Sequence, residues 1–343
     1  MTSRISRHAL ATFLAFGVIA AAVSAAAPDP NNPTGTHGLV MVDKLGGHVR
    51  FFDPISHTEL SNLAIGVNPH ELAISPDHKT AYVPVYGDGV YGDNPHPGHT
   101  IGIVDLVSRQ VVGMIDVSPY IAPHGVQVDF AGTVYVTCDS SRKLLVINPK
   151  KRSIEAAIDE EGTGHWLVVL PDGSKAYVAN KQDKPFVSVI DLKARKMVGR
   201  VPTPNGTQGI AASPDGKQVV VLDFVKPVMM VIDTTTDKIV DTIPLKDNPG
   251  GAYRVRFTPD GSKILTNNGS PAIVNILDAS NLHGEQHVLR VGKDPMGFGF
   301  APDGRTALVG NHGDGTVSII DVKQARVTGN FPAGTGIEFI SYY

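Results

Sequence analysis

Residues 170–191 read LPDGSKAYVANKQDKPFVSVID, and this stretch decides the fold. It contains a Pro-Asp-Gly turn, the run AYVAN and the apolar run FVSVI, which ends in Asp191. Proline sets φ at the second turn position, and Asp and Gly then supply the local hydrogen bond and the left-handed residue that a tight reversal needs. The stretch therefore predicts the end of one short strand, a reversal, and two further short strands.

The apolar run that ends in an aspartate, or in its amide, recurs along the whole chain. Successive copies are 52, 43, 43, 42, 45 and 43 residues apart. A nearly fixed period of this size is typical of stacked or radial repeat proteins. The seven copies end at Asp53, Asp105, Asn148, Asp191, Asp233, Asp278 and Asp321.

Each repeat has the pattern of four antiparallel strands, because a further alternating run such as DKIVDTIPL follows each aspartate-ending copy. Four strands in about 40 to 45 residues predict one propeller blade. The proline turn or its equivalent occurs only six times, one fewer than the aspartate-ending run. The last of these turns begins at Ala301, and one period further on a seventh turn would begin at Tyr343, the last residue. We therefore predict an all-β, seven-bladed β-propeller over residues 37–343, a single domain. Its ring is closed when a C-terminal first strand pairs with three N-terminal strands.

Several repeat motifs carry a family resemblance: SPDG at 213–216, YVAN at 177–180, YVTC at 135–138 and VSVIDL at 187–192. They resemble the YVTN family of seven-bladed β-propeller repeats, over roughly residues 38–343. The resemblance implies an exported bacterial or archaeal propeller. It also implies wider relatives that include lactonases, dehydrogenase subunits and haem-handling proteins, so it does not fix the function.

The N-terminus has the pattern of a secretory signal peptide over residues 1–25. Arg4 and Arg7 precede an apolar stretch, which ends in the small-residue sequence VSA at Ala25. We expect a flexible segment at 26–36 and a periplasmic or secreted monomer. No membrane span is expected in the mature form, since no other apolar stretch approaches about 20 residues.

Composition excludes several function classes. A net charge of −3 without a basic cluster argues against a protein that binds nucleic acid through phosphates. Cys138 is the one cysteine, so an intramolecular disulfide is impossible. Without a GxSxG, P-loop, CxxCH or Rossmann motif, neither a standard serine nucleophile nor covalent haem attachment is supported.

One position that recurs in every repeat indicates a site. The position five residues before each turn begins the innermost strand, so its seven side chains are expected to converge on one mouth of the central channel. Three neutral imidazoles are typical of catalytic metal sites with open positions, and zinc, copper and iron all accept them. We therefore predict a transition metal on His70, His124 and His165, with Glu338 as a ligand, a group that orients a histidine, or a base. The seven positions are His70, His124, His165, Gln208, Tyr253, Met296 and Glu338.

The alternative to a metal site is that this position is polar only because it borders a water-filled channel. Further site residues are predicted at the same mouth, where the long segment 85–100 is either a mobile cover or a tolerated insertion. Arg254 is predicted as an anion clamp, or instead as a buried charge paired with a carboxylate between blades. The predicted catalytic residues are Glu338, His99 and Tyr253, and the predicted substrate-binding residues are His96, Gln208, Arg254 and His312.

The function predicted from these residues is a metalloenzyme acting hydrolytically or oxidatively on a small polar molecule. A non-catalytic periplasmic propeller that binds a ligand or docks a partner protein is the first alternative. A lactonase-like hydrolase is the second. The lactonases to which the resemblance points use mainly carboxylate and amide oxygens, whereas this register offers imidazoles.

Overall fold

The computed structural model describes residues 37–181 and 185–343, and it consists of seven four-stranded antiparallel sheets. The prediction of a seven-bladed all-β propeller is confirmed. The predicted signal peptide (1–25) and the predicted flexible segment (26–36) lie outside the described residues. The one helical element described is a 3₁₀ turn at Asp139–Ser141.

The 28 strands are numbered in chain order. Blade seven takes β1–β3, at Leu39–Asp43, His48–Phe52 and Glu59–Ala64. Blades one and two take β4–β11, at Ala73–Ile74, Thr80–Val90, Asp93–Asp105, Gln110–Asp116, Pro123–Val128, Val134–Cys138, Lys143–Asn148 and Ser153–Asp159. Blades three and four take β12–β19, at Gly164–Val169, Lys175–Asn180, Phe186–Asp191, Lys196–Pro202, Thr207–Ala212, Gln218–Asp223, Val228–Asp233 and Lys238–Pro244. Blades five and six take β20–β27, at Val255–Phe257, Lys263–Gly269, Ala272–Asp278, His287–Arg290, Pro295–Phe300, Thr306–Asn311, Thr316–Asp321 and Arg326–Pro332, and β28 at Ile337–Tyr342 completes blade seven.

The ring closes as the sequence predicts. In blade seven the strand order is β28, β1, β2, β3, and Leu39 pairs with Tyr342 in an antiparallel ladder. Asp43 fastens this junction: its buried carboxylate accepts hydrogen bonds from Arg50 Nε at 2.8 Å, Thr335 Oγ1 at 2.9 Å and the Gly336 N–H at 2.8 Å. The two ends of the chain are thereby held in one sheet, which closes the ring.

Burial follows the position of a strand in its blade. The innermost strand β12 is buried along its whole length, whereas the outermost strand β19 alternates between exposed residues and partly or fully buried ones. The core lies between blades, as where Ile101 of blade one packs with Val126 and Val136 of blade two. Each such aliphatic side chain stabilises the fold by about 1.5–3 kcal/mol when fully buried.

The Pro-Asp-Gly turns adopt the geometry that their sequence requires. Gly173 has a φ of +68°, and its N–H donates to the Leu170 carbonyl at 2.8 Å. Only glycine adopts this conformation without steric cost, which explains its place in the repeat. No helix in the described part of the chain is long and apolar enough to cross a membrane.

Candidate functional site

A β-bulge marks the start of the inner strand in most blades. In blades two, three, four, six and seven, pairing with the neighbouring strand slips by one residue at this place. In blade three, Gly164 pairs with Asn180 and Trp166 pairs with Ala179, so His165 is the extra residue. A bulge re-aims the side chain of its extra residue. The register identified in the sequence is therefore the register of these bulges.

The three predicted histidine ligands lie side by side. The ring centroids of His70 and His124 are 4.3 Å apart, and those of His124 and His165 are 4.1 Å apart. All three side chains are buried. Histidines from blades one, two and three, which are more than 40 residues apart in the chain, thus form one continuous cluster, called the histidine trio below.

Burial keeps the histidine trio neutral. It lowers the pKa of His70 to about 3, with Lys44 adding to the effect. The pKa of His124 also lies well below the ordinary histidine value, first through burial and then through the neighbouring His165 and His70. The pKa of His165 is lowered likewise, first by burial and then by the charges of Lys181 and Arg254. His70 Nδ1 lies 3.1 Å from the Asn68 carbonyl, to which it donates as the neutral tautomer, so its Nε2 is left as an acceptor.

The Nδ1 atoms of His124 and His165 are buried and have no hydrogen-bond partner among the described residues. Buried polar atoms without partners are uncommon in folded proteins and call for an explanation. Across residues 37–181 and 185–343, however, no group of three or more His, Cys, Asp or Glu side chains has the geometry of a metal site as the side chains stand.

The long segment of blade one forms a β-hairpin that covers the histidine trio. β5 and β6 remain paired out to Val90 and Asp93, and the Tyr86 ring lies 4.6 Å from His70 and 5.4 Å from His124. Nearer the tip, the Tyr91 ring lies 4.9 Å from His165, and its hydroxyl is 2.6 Å from the Thr163 carbonyl of the facing loop. The tip of the hairpin therefore contacts blade three.

The two histidines predicted on this hairpin do not reach the trio. His96 is exposed, and its Nδ1 lies 3.6 Å from Asp88. His99 is also exposed, with Nδ1 3.3 Å from Asp116. The side chains that cover the trio come instead from Tyr86 and Tyr91. The roles predicted for His96 and His99 have no structural support from their positions.

Glu338 belongs to a group of cationic partners rather than to the trio. Its Oε1 lies 2.5 Å from Arg254 Nη2, and its Oε2 lies 3.2 Å from His312 Nδ1 and 4.0 Å from Lys44 Nζ. Although burial alone would raise the pKa of Glu338, Lys44, His312 and Arg254 hold it well below its usual range. This carboxylate is therefore ionised and held among cations, which suits an anchoring role, although its Oε2 makes no hydrogen bond among the described residues.

In blade five, the residue that joins this group is Arg254 rather than Tyr253. The Arg254 N–H donates to the Asn267 side chain at 3.0 Å, and regular pairing of the strand begins only at Val255. The guanidinium carbon of Arg254 lies 3.2 Å from the centre of the Trp166 ring. The Tyr253 ring instead lies beside Gly269. Of the two roles weighed for Arg254, pairing with a buried carboxylate is present in the structure.

The remaining predicted positions differ in their surroundings. Gln208 is buried, and its Oε1 has no hydrogen-bond partner among the described residues. His312 is close to Glu338, as given above, and Met296 is half-buried. Sequence reasoning did not find the roles of Tyr86, Tyr91 and Lys44, because their contacts depend on how loops of different blades meet. For Trp166, its place directly after His165 in the same strand was the available signal.

A second buried carboxylate lies beside the histidine trio's cover. Glu160 directly follows β11, and both of its carboxyl oxygens are buried, with the Gly164 N–H beside them. Burial, and then the charge of Asp139, raise the pKa of Glu160 to about 8. Asp139 in turn accepts a hydrogen bond from the Tyr86 hydroxyl at 2.8 Å. Glu160 thus holds a proton in the folded state at neutral pH.

We expect Glu160→Gln to stabilise the protein at pH 8. From about pH 4.5 to about pH 8 the folded chain holds a proton on Glu160 that the unfolded chain releases, so the free energy of unfolding falls as pH rises. Glutamine has the same shape and cannot ionise. Urea unfolding is expected to show a gain of at least about 1 kcal/mol at pH 8 and none at pH 4. The exposed Glu285→Gln is the control, and an equal gain at both pH values would contradict the explanation.

Together the seven four-stranded sheets and the closure of blade seven define a seven-bladed β-propeller consistent with the YVTN type. Residues 134–260 match the family described as YNCE-like beta-propeller, a range that contains His165 but neither His70 nor His124. Among solved structures, a chain described as Kuenenia stuttgartiensis Hydrazine Synthase is similar, with a TM-score of 0.67 and 21% identity. The match covers 80% of this chain and 89% of that chain. At this identity the likeness shows the fold alone. No curated protein matches the chain.

Proposed function

We propose that the histidine trio binds one transition metal ion at the mouth of the channel, and that the protein is an exported metal-dependent enzyme acting on a small polar molecule. The observation that carries the proposal is the contact between three buried, neutral imidazoles from three adjacent blades. Neutral imidazole is a preferred ligand of zinc, copper and iron.

The surroundings of the trio fit a metal in two respects. His70 is oriented by a backbone carbonyl at its Nδ1, which is the usual arrangement for a metal-binding histidine. A metal would also give the buried, unpartnered imidazole nitrogens of the other two histidines a reason to be there. Three imidazoles on one ion hold their centroids about 5 Å apart, so His124 needs to separate from each of its two neighbours by less than about 1 Å.

A bound ion would supply Lewis acidity and activation of a water molecule. The chain's own residues would exclude bulk solvent, since Tyr86 and Tyr91 cover the trio, and would hold positive charge nearby through Lys44 and Arg254. These cations disfavour protonation of the trio and so keep its nitrogens free for a metal at neutral pH.

The closed cover favours a second candidate function, a non-catalytic metal-binding propeller. Structural metal sites are closed, whereas catalytic sites keep a position open for substrate. Contacts of Tyr86 and Tyr91 with the trio leave little room for a substrate while the hairpin stays closed. Turnover of lactone, phenolic or thiol substrates by the metal-loaded protein would favour the enzyme, and its absence would favour the binding protein.

Elemental analysis of protein purified without a histidine tag tests the metal proposal. We expect close to one equivalent of a single transition metal, or a rise in melting temperature when zinc, copper or iron is added to the metal-free protein, because a ligand of the folded state stabilises it. Less than about a tenth of an equivalent, together with no rise for any of the three ions, would refute the proposal.

A further inference from the structure

Arg254 has free hydrogen-bond donors deep inside the channel mouth. Its side chain is buried, and its Nη2 atom is occupied by Glu338. Its Nε and Nη1 atoms are also buried but have no hydrogen-bond partner among the described residues. A buried guanidinium with unmet N–H groups is costly, because such donors lose their hydration without replacement.

Trp166 adds another donor at the same place. The Arg254 guanidinium lies against the indole face, and the indole Nε1 is likewise buried without a partner among the described residues. The Trp166 ring also lies nearly parallel to the ring of His165, 6.1 Å away. Donors of Arg254 and Trp166 therefore stand directly beside the histidine trio.

Further positive charge surrounds these donors. Lys44 lies 4.0 Å from the same Glu338 carboxylate that pairs with Arg254, so two permanent cations share this acceptor. Lys181 Nζ lies 5.2 Å from the centres of the Tyr91 and Phe224 rings, and burial followed by the charges of Arg254 and Lys44 lowers its pKa to about 8. The one other carboxyl group described in contact with Arg254 is that of Glu71, 3.9 Å from Nη2.

We propose that Arg254 and Trp166 bind the carboxylate group of a small organic acid in the channel mouth, next to the histidine trio. A carboxylate accepts hydrogen bonds from guanidinium N–H groups and satisfies them in pairs. The cations nearby favour an anion over a neutral molecule. The inference deepens the proposed function, and the role of the organic acid as substrate rests on it. Binding of the carboxylate itself does not require the metal.

The chain offers its own reporter for this site. Trp166 is the only tryptophan in the sequence, so intrinsic fluorescence reports directly on the ring that Arg254 covers. Sodium acetate is titrated into metal-free protein at constant ionic strength, set with sodium chloride. We expect a saturable change in fluorescence, and at least about a tenfold weaker dissociation constant for Arg254→Lys, which keeps the charge facing Glu338 but loses the guanidinium donors.

Arg256→Lys is the matched control, since Arg256 lies two residues along the same strand and donates to the Phe298 carbonyl. It is expected to bind acetate as the natural protein does. A change that does not saturate, or equal affinity in Arg254→Lys, would overturn the site. Tighter binding of inorganic phosphate than of acetate would overturn the assignment to carboxylates. Because the protein is metal-free, these outcomes are independent of the metal content that tests the proposed function.

If Arg254→Lys does not fold, Lys181→Met provides the second variant. Lys181 lies at the same mouth and contacts ring faces, so its removal leaves the Glu338 ion pair intact. Loss of its charge is expected to weaken acetate binding by about threefold or more, with a smaller effect at high salt. Unchanged affinity at low salt would count against a cationic carboxylate site.

Discussion

Replacing His124 by alanine is expected to weaken transition-metal binding by more than about a hundredfold and to leave the propeller folded. His124 is the middle member of the trio, with its ring within 4.3 Å of both other imidazole centroids. Its removal leaves two histidines from blades that are not adjacent. Metal affinity is measured by competition with a chromophoric chelator, and folding by the far-ultraviolet circular dichroism of the metal-free protein.

His99→Ala is the matched control for this experiment. His99 is also a histidine of the blade-one side of the mouth, but it is exposed and faces Asp116. Its replacement should change neither metal affinity nor stability by a measurable amount. Full metal content in the His124→Ala protein would show that the trio is not the binding site, whatever the metal content of the natural protein.

Asp43→Ala is expected to cost at least about 3 kcal/mol of stability, the largest loss we predict for a single polar side chain. Its carboxylate joins the N-terminal and C-terminal parts of blade seven, and its loss leaves Arg50 Nε and the N–H groups at 335 and 336 without their acceptor. Urea unfolding measured by fluorescence should show the full loss, because the ring cannot close well without this junction.

The partly buried Asp321→Ala is the control. Asp321 accepts a hydrogen bond from the Gln324 N–H within its own turn, so about 1 kcal/mol or less is expected. The contribution of Asp43 should also depend on pH. Burial raises its pKa, but Arg50, Thr335 and Gly336 outweigh burial and lower it below 3.8. The stabilisation is therefore present above about pH 4 and lost as pH falls through the lowered value. Equal costs for both variants would contradict the closure role.

The fold could be predicted almost completely, because similar stretches of sequence encode successive blades of a propeller. All seven blades carry the apolar run that ends in Asp or Asn, and six carry a version of the turn, so a single reading of residues 170–191 could be checked against the other copies. Closure was also predictable, since the C-terminal end supplies only the first strand of a blade and the N-terminal end supplies only the other three. The outcome at β28 and β1 follows directly from that mismatch.

The candidate site could be predicted only for residues that occupy the same position in each repeat. His70, His124 and His165 meet because they occupy equivalent positions at the starts of three inner strands. The same count selected Tyr253, whereas the Asn267 side chain holds the backbone of blade five so that Arg254 enters the group. A local hydrogen bond of this kind leaves no periodic signal.

Long-range electrostatic partners were equally invisible in the sequence. Glu338 fits the register, but its choice of Arg254, Lys44 and His312 as partners depends on three-dimensional distances between blades five, six and seven. The hairpin of blade one shows a similar limit. Its Gly-rich and Pro-rich sequence indicated a mobile cover, and the contacts of Tyr86 and Tyr91 could not be read from composition.

The bulges that aim the mouth residues also separate two kinds of change in this protein. An extra residue lies outside the ladder, so its side chain can be exchanged while the pairs on either side remain. Gln208 and Met296 can thus be substituted while the strand pairing around them stays the same. New ligand chemistry could be introduced there by single substitutions, and the same frame could acquire a different specificity without any strand being redesigned.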